Sequence, residues 1–420
     1  MFRPGQPTKP TSSPASAPRA RASRDPFPIR LPRRLDEDLD RFADSVAAVL
    51  DGTLSEDVFR AQRVPMGIYL QRDGANHLIR VRLPAGGLLP SQARAVAAIS
   101  GELGNGVLHT TTRQAVQIHG VALEDLHPAL VALADAGLTA RGAGGNTVRN
   151  VTACPLAGVC SKECFDVTSY ATEVASQLAD NPLSLQLPRK YKIAFSGCAD
   201  DCVGAAFNDL GFVATTRDGQ PGFRVLVGGG MGGKSRVAHV LAEFVSVDQA
   251  PRIAEAIARV FDRHGNRRNR NKARIRFLVK ELGVARFETL VRRELGALDR
   301  GEEGEGTPFP AAAPTSDTPP LAGVPTGEFA RWRQQQVEPQ RQAAHHVVHI
   351  PLRLGDIPAG TLTALAGVVE DHGERLLRLT PSQNLTLRWV HERELRAVQR
   401  ELSAIGLGQP TPAVVSELVA

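Results

Sequence analysis

Five cysteines, at 154, 160, 164, 198 and 202, fall in one short stretch of the 420-residue chain, and no other position holds one. Four of them form two pairs, Cys154-Pro-Leu-Ala-Gly-Val-Cys160 and Cys198-Ala-Asp-Asp-Cys202. Thiolates delivered as two pairs from separate loops can surround a cubane, and soft sulfur ligands suit iron–sulfur clusters. Cys154, Cys160, Cys198 and Cys202 are therefore the candidate ligands of a [4Fe-4S] cluster. The wide first spacing disfavours structural zinc, whose knuckles are usually tighter in both pairs. A disulfide framework does not suit a long chain whose start has no secretory pattern. Buried core cysteines, the bland alternative, have no reason to cluster in this way. Cys164 is surplus and is read as a non-ligand.

The elements that must position these thiols show an internal repeat. Leu78 to Leu138 reads strand, helix, two strands, helix, and Val347 to Leu407 repeats that order. The two segments align without a gap, setting Gly104 on Gly373, Gln114 on Gln383 and Leu138 on Leu407. Runs of period 3.6 alternate with runs of period 2. Each copy is a small α+β unit, half of one pseudo-twofold domain. Between the copies lies a separate α/β domain with the cysteines, strands around YKIAFSG and FRVLVGGG, and helices expected after Ser235 and after Lys272.

Bulk properties exclude several classes. The net charge of +6 hides an asymmetry, because residues 1–34 hold eight basic residues against one acid and the remainder is slightly acidic. That Pro/Ser/Ala/Arg-rich segment reads as a disordered basic tail, with an organellar transit peptide as the alternative, and no nucleic-acid partner is expected. No apolar run approaches the roughly 18 residues of a membrane span, so no membrane partner is expected and the cytoplasm is the expected location. The resulting division is a tail over 1–34, an N-terminal arm over 35–64, repeat 1 over 65–142, the cysteine domain over 143–300, a Pro/Gly-rich linker over 301–325, repeat 2 over 326–410 and a C-terminal end over 411–420.

Several motifs recur in one order: Arg-Val-Arg-Leu-Pro (80–84), Thr-Thr-Arg-Gln-Ala-Val-Gln-Ile-His-Gly (111–120), Val-Arg-Asn (148–150), the first cysteine pair, Leu-Pro-Arg-Lys-Tyr-Lys (187–192), the second cysteine pair, Leu-Val-Gly-Gly-Gly (226–230) and Gly-Asn-Arg-Arg-Asn-Arg-Asn-Lys-Ala-Arg (265–274). With C-x5-C followed by Gly-Cys-x3-Cys, this ordered set resembles the sirohaem-dependent nitrite and sulfite reductases. The resemblance spans about residues 65–405. It implies an α+β fold in which two ferredoxin-like half-domain repeats form a pseudo-twofold domain beside one α/β sirohaem/[4Fe-4S] domain. It implies [4Fe-4S] and sirohaem as cofactors and Cys202 as the bridge to the sirohaem iron. The substrate-binding, catalytic positions map onto Arg80, Arg149, Lys190 and Lys192. Cofactor contacts map onto Arg82, Arg113, Gln114, Gln117, His119, Asn150, Gly228, Gly229, Gly230, Asn266, Arg267, Arg270, Arg274 and Arg276.

The residue types suit that chemistry. Sirohaem bears many carboxylates, which arginine binds bidentately. A small oxyanion, sulfite or nitrite, reduced by six electrons needs cations that bind it and donate protons. No flavin or nicotinamide domain is recognisable, so electrons are expected from a separate donor such as ferredoxin or a flavoprotein subunit. Gly228 to Ser235 also satisfies the P-loop pattern, a weak signal for ATP that a following helix would strengthen.

The repeat offset carries a complication. The matching partner of Cys154 falls just beyond Ala420, so a second cluster domain is absent from this sequence and a second subunit is a candidate for completing the active centre. A haem on Cys202 would face repeat 2, where His349, Pro351 and Ser382 stand for Arg80, Arg82 and Arg113. Two other readings stay open: an oxygen-dependent corrin-ring hydroxylase of the precorrin-3B synthase kind, and a non-catalytic Fe–S electron-transfer subunit.

Overall fold

The computed structural model describes residues 30–298 and 327–411. Nearly all of the basic tail, the whole linker and the last nine residues lie outside the described residues. The arm forms α1 (Leu35–Leu50) and α2 (Glu56–Arg63). Leu35, Leu39, Phe42 and Val46 recur at helical spacing and bury one stripe of α1, while Asp36, Glu37 and Asp38 suit the positive end of its dipole.

Repeat 1 contains β1 (Ile68–Leu70), β2 (His77–Val81), β3 (Gly87–Leu88), α3 (Pro90–Leu103), β4 (Val107–Thr110), β5 (Val116–Val121) and α4 (Leu126–Asp135). The cysteine domain contains β6 (Thr152–Ala153), α5 (Thr168–Asp180), β7 (Ile193–Ser196), β8 (Leu210–Arg217), β9 (Gln220–Val227), β10 (His239–Ser246), α6 (Ala250–His264), α7 (Ile275–Leu282) and α8 (Val284–Leu298). Repeat 2 contains α9 (Gly327–Gln336), β11 (Val337–Pro339), β12 (His345–Ile350), β13 (Asp356–Pro358), α10 (Ala359–Asp371), β14 (Leu377–Leu379), β15 (Leu385–His391) and α11 (Leu395–Ala404).

The two repeats exchange strands. Their sheets run β1-β2-β5-β4-β13 and β11-β12-β15-β14-β3. Each sheet thus ends on a short strand from the other repeat, β13 antiparallel to β4 and β3 antiparallel to β14. One hydrophobic core runs through the arm and both repeats, from Leu35 to Leu402. The backbone repeats as well. Ala85 and Leu354 have φ of 54° and 55°, and Gln114 and Gln383 have 51° and 62°. Left-handed backbone is uncommon outside glycine, so its recurrence at matched positions marks the two copies as one conformational unit used twice.

The cysteine domain has its own core, in which Phe195 and Phe212 stack at 4.5 Å. Its sheet runs β10-β9-β8-β7-β6, with β6, β7 and β8 parallel and the rest antiparallel. The helix expected after Ser235 does not form there. The strand β10 follows, paired to the open edge of β9, and a helix starts only at Ala250. Pairing with that edge outweighs the helical propensity of Ala and Leu in this segment. A P-loop needs a helix N-terminus directly after Lys-Ser. The Gly230–Arg236 bridge and β10 stand there instead, which removes the ATP reading.

Candidate functional site

Cross-strand register builds one wall of the site. Arg80 on β2 lies opposite Gln117 on β5, Gln117 opposite His109 on β4, and His109 opposite Asp356 on β13. The other wall is the edge of the cysteine domain where β6 and β7 begin. Between them is a cavity of about 230 Å³ lined by Arg80, His109, Thr111, Arg113, Gln117, Arg149, Asn150, Lys190, Lys192 and Gln383, among others.

The cations in this cavity are crowded. Burial, then Arg113, Lys190 and Arg274, bring Lys192 down to about 7, against the pull of Asp209. Burial, then Arg274, Arg149 and Arg189, bring Lys190 down to about 8. Arg113 falls to about 9, chiefly through burial. Its Nε donates to the Asn150 carbonyl at 2.9 Å, while the Asn150 amide donates to the carbonyls of Leu83, Arg113 and Gln114. Arg149 donates to the carbonyls of Ala143 at 3.1 Å and Gly145 at 2.9 Å. Its Nε, the Oδ1 of Asn150 and the Nε of Arg276 are buried without a hydrogen-bond partner. A cavity of this kind favours a polyanion or a small oxyanion over a neutral ligand.

Other predicted positions fall elsewhere. Arg82 is buried and donates to the Arg141 carbonyl at 3.2 Å, outside the cavity lining. Gln114 is fully buried and acts as a structural staple: its amide donates to the carbonyls of Ala153 and Leu379 and accepts from the Ala153 N–H. The strands bring a backbone amide and two carbonyls to Gln114, so its side chain is consumed inside the fold. His119 lines an adjoining cavity with His109 and Asp356. Gly228, Gly229 and Gly230 follow β9 at the same edge as the lysines. A Cβ on Gly229 would meet the Ala206 carbonyl oxygen at 2.4 Å, and one on Gly230 would meet Arg276 Nη1 at 2.5 Å. Arg276 donates to the Met231 carbonyl, and Arg274 forms a bidentate pair with fully buried Asp209 at 2.9 and 2.8 Å. Asn266, Arg267 and Arg270 sit on an exposed loop; Asn266 closes that loop on itself and Arg267 holds the Gln186 carbonyl. His109, Thr111 and Gln383 were not foreseen as lining residues. Alternation along β4 relative to Gln117 would have flagged His109.

The thiols occupy the opposite edge. Cys154 and Cys198 are buried, Cys160 is half-buried and Cys202 is exposed. Burial pushes the Cys154 thiol up to about 12, with Cys202, Cys160 and Cys198 adding to it. Burial, then Cys198, Asp200 and Cys160, also raise Cys202. The four sulfurs therefore sense one another, and ionising them together needs a multiply charged cationic centre. Four thiols in two pairs at one edge, close enough to influence one another, are a donor set whose chemistry fits a cubane. Cys164 turns away, towards the Ala214 carbonyl at 3.5 Å.

Arg149 and Asn150 precede β6 and Cys154 follows it; Lys190 and Lys192 precede β7 and Cys198 follows it. These strands are parallel. The four-residue β7 alone spans about 13 Å at the usual rise, so the cationic cavity and the thiols lie at opposite ends of the sheet.

Comparison with known proteins gives this arrangement its relatives. The nitrite/sulfite reductase ferredoxin-like half domain matches residues 69–136 and again 338–405, and the nitrite and sulphite reductase 4Fe-4S domain matches residues 144–298. The chain belongs to the nitrite and sulphite reductase family. A ferredoxin–nitrite reductase of Synechococcus elongatus is 32% identical over 350 residues, covering 81% of this chain and 64% of that protein. A ferredoxin sulfite reductase of Mycolicibacterium paratuberculosis is 30% identical over 331 residues, covering 79% of this chain and 56% of that one. The solved structure of the Mycobacterium tuberculosis NirA protein superposes with a TM-score of 0.73 at 25% identity, covering 92% of this chain and 72% of that chain. The chain thus spans between about half and two thirds of the length of the curated relatives it matches. Family membership carries a [4Fe-4S] cluster and sirohaem as cofactors. The residues fit both groups: two thiol pairs for the cluster, and buried unpartnered donors among crowded cations for the carboxylates.

Proposed function

We propose that this chain takes part in the six-electron reduction of a small oxyanion, nitrite or sulfite, as an oxidoreductase of the cytoplasm. The observation that carries the reading is the convergence of Arg80, Arg149, Lys190 and Lys192 on one cavity. When bound, sirohaem supplies the reactive iron and the cluster supplies electrons one at a time. Arg80 and Arg149 bind and orient the anion. Lys190, brought down to about 8, keeps its proton at neutral pH, Lys192, at about 7, exchanges one there, and both release a proton to a departing oxygen more readily than an ordinary lysine. Arg113, Gln117, Arg274 and Arg276 would hold the carboxylates of the macrocycle, and Asn150, whose amide is spent on the carbonyls of Leu83, Arg113 and Gln114, fixes the Arg113 turn. The cluster that serves this cavity comes from a further domain or subunit, since the chain's own thiols lie at the far end of the sheet. Electrons come from a separate donor of the ferredoxin kind, in line with the ferredoxin dependence stated in the relatives' names. Among the described residues no helix is long and apolar enough to cross a membrane.

The same separation favours a second reading, the oxygen-dependent hydroxylation of a polycarboxylate corrin precursor. There the cationic cavity holds the tetrapyrrole as substrate and needs no adjacent cluster. One experiment separates the two. Anaerobic protein, produced with sirohaem supply and isolated together with the subunit that completes it, is mixed with reduced methyl viologen and either nitrite or sulfite. Oxyanion-dependent viologen oxidation that is lost in Arg149→Gln supports the reductase. No oxyanion-dependent oxidation, together with oxygen-dependent hydroxylation of an added polycarboxylate tetrapyrrole, would replace it with the second reading.

A further inference from the structure

The loop between Cys154 and Cys160 turns its carbonyls towards repeat 2, and repeat 2 supplies the donors. Arg388 on β15, 3% exposed, donates through Nη1 to the carbonyls of Pro155 and Ala157. The Gln342 amide donates to the Gly158 carbonyl at 2.9 Å, and the Arg341 N–H donates to the Val159 carbonyl at 2.9 Å. The remaining carbonyl, of Leu156, closes the loop internally on the N–H groups of Val159 and Cys160. The Arg341 side chain meets Glu163 at 3.1 Å, whose Oε2 accepts from the Gly158 N–H at 2.8 Å. Every carbonyl between the two cysteines therefore has a donor, and repeat 2 supplies four of the five.

The far side of the Arg388 guanidinium pairs with both carboxylate oxygens of Glu374, and the Glu374 N–H donates back to the Arg388 carbonyl at 3.2 Å. A second buried guanidinium, Arg378, lies beside the first, and both interact electrostatically with Cys154 and Asp166. Arg388 occupies the position that His119 holds in repeat 1, beside the cationic cavity. The same position in the repeat lines the adjoining cavity in one copy and faces the thiol loop in the other.

We propose that Arg388 is a positioning residue for the cluster loop, and that the Arg388–Glu374 pair sets the reduction potential of the cluster from repeat 2. Reduction adds a negative charge to a buried centre. A fixed cation nearby stabilises the reduced form and a fixed anion destabilises it, the more so where water is excluded. Removing the Arg388 charge leaves Glu374 uncompensated and moves the potential down. Removing the Glu374 charge leaves Arg388 and its carbonyl contacts in place and moves the potential up. This inference rests on the cluster assignment and is independent of the substrate.

The test is an EPR-monitored redox titration of anaerobically prepared full-length protein, comparing wild type with Arg388→Gln, Arg388→Lys and Glu374→Gln. The expected result is a shift to lower potential in Arg388→Gln, a shift to higher potential in Glu374→Gln, and a return towards wild type in Arg388→Lys. A merely structural role would change cluster content without shifts of opposite sign. Unchanged potentials, or shifts of one sign in both charge variants, overturn the proposal. If Arg388→Gln loses its cluster, Glu374→Gln decides alone: an upward shift upholds the proposal and no shift overturns it. Wild-type protein without a reducible cluster would remove the cluster assignment and this proposal with it, and that failure is visible before any variant is made.

Discussion

Replacing Lys192 with methionine should stabilise the protein while weakening anion binding. In the unfolded chain this amine keeps its proton up to its ordinary 10.5, whereas in the fold it keeps it only to about 7. Between those values the unfolded state holds more protons, so stability rises with pH across that window, and the full penalty applies below pH 7. The gap between 10.5 and about 7 corresponds to at most ~5 kcal/mol. The counter-charge of Asp209 is already contained in that value, and partial exposure of the ammonium reduces the realised part to ~2 kcal/mol. For a domain of this size that is about 4–8 °C in melting temperature. The assay is thermal unfolding by circular dichroism of wild type and Lys192→Met, side by side at pH 6, 8 and 10. The variant should melt higher at pH 6 and the gap should close as the pH approaches 10.5. A variant no more stable than wild type at pH 6, or a gap independent of pH, would refute the argument that burial among cations strains this lysine.

Serine at position 154, 160, 198 or 202 should reduce iron content and the cluster absorption of anaerobically isolated protein, whereas Cys164→Ser should leave both unchanged. Gln114→Ala should cost about 3 kcal/mol in chemical denaturation, because it strands buried backbone groups of Ala153 and Leu379. Titration calorimetry with MgATP should show no binding, and Lys234→Ala should not alter that result.

The architecture was legible where a pattern repeats and obscure where one residue acts alone. The matched offset exposed the duplicated unit because helices such as α3 and α10 carry long periodic signals. The exchanged strands β3 and β13, of two and three residues, carry no period and owe their pairing to distant chain. The cysteine pairs and the lysine pair were visible as motifs. Their placement at opposite ends of β6 and β7 was implicit in residue order, each basic motif preceding its strand and each cysteine following it, yet it needed the parallel pairing to acquire meaning. Gln114 was assigned to cofactor because it belongs to a motif. Its neighbour Arg113 does reach the cavity, and the left-handed turn at Gln114 sends that side chain inward instead. Asp209, which anchors Arg274 and the Lys192 N–H, has no sequence signal at all.

The strand exchange has a consequence for how the polypeptide is born. The sheet of repeat 1 cannot close its β4 edge until Asp356–Pro358 has been made, roughly 235 residues after β5 ends. At ordinary rates of synthesis the nascent chain waits roughly 10–50 s with that edge unpaired. An open edge is a template for mispairing with another nascent copy. Slower elongation between α8 and β12 should therefore lower the yield of correctly folded protein, and a chaperone that shields the β4 edge during that interval should restore it.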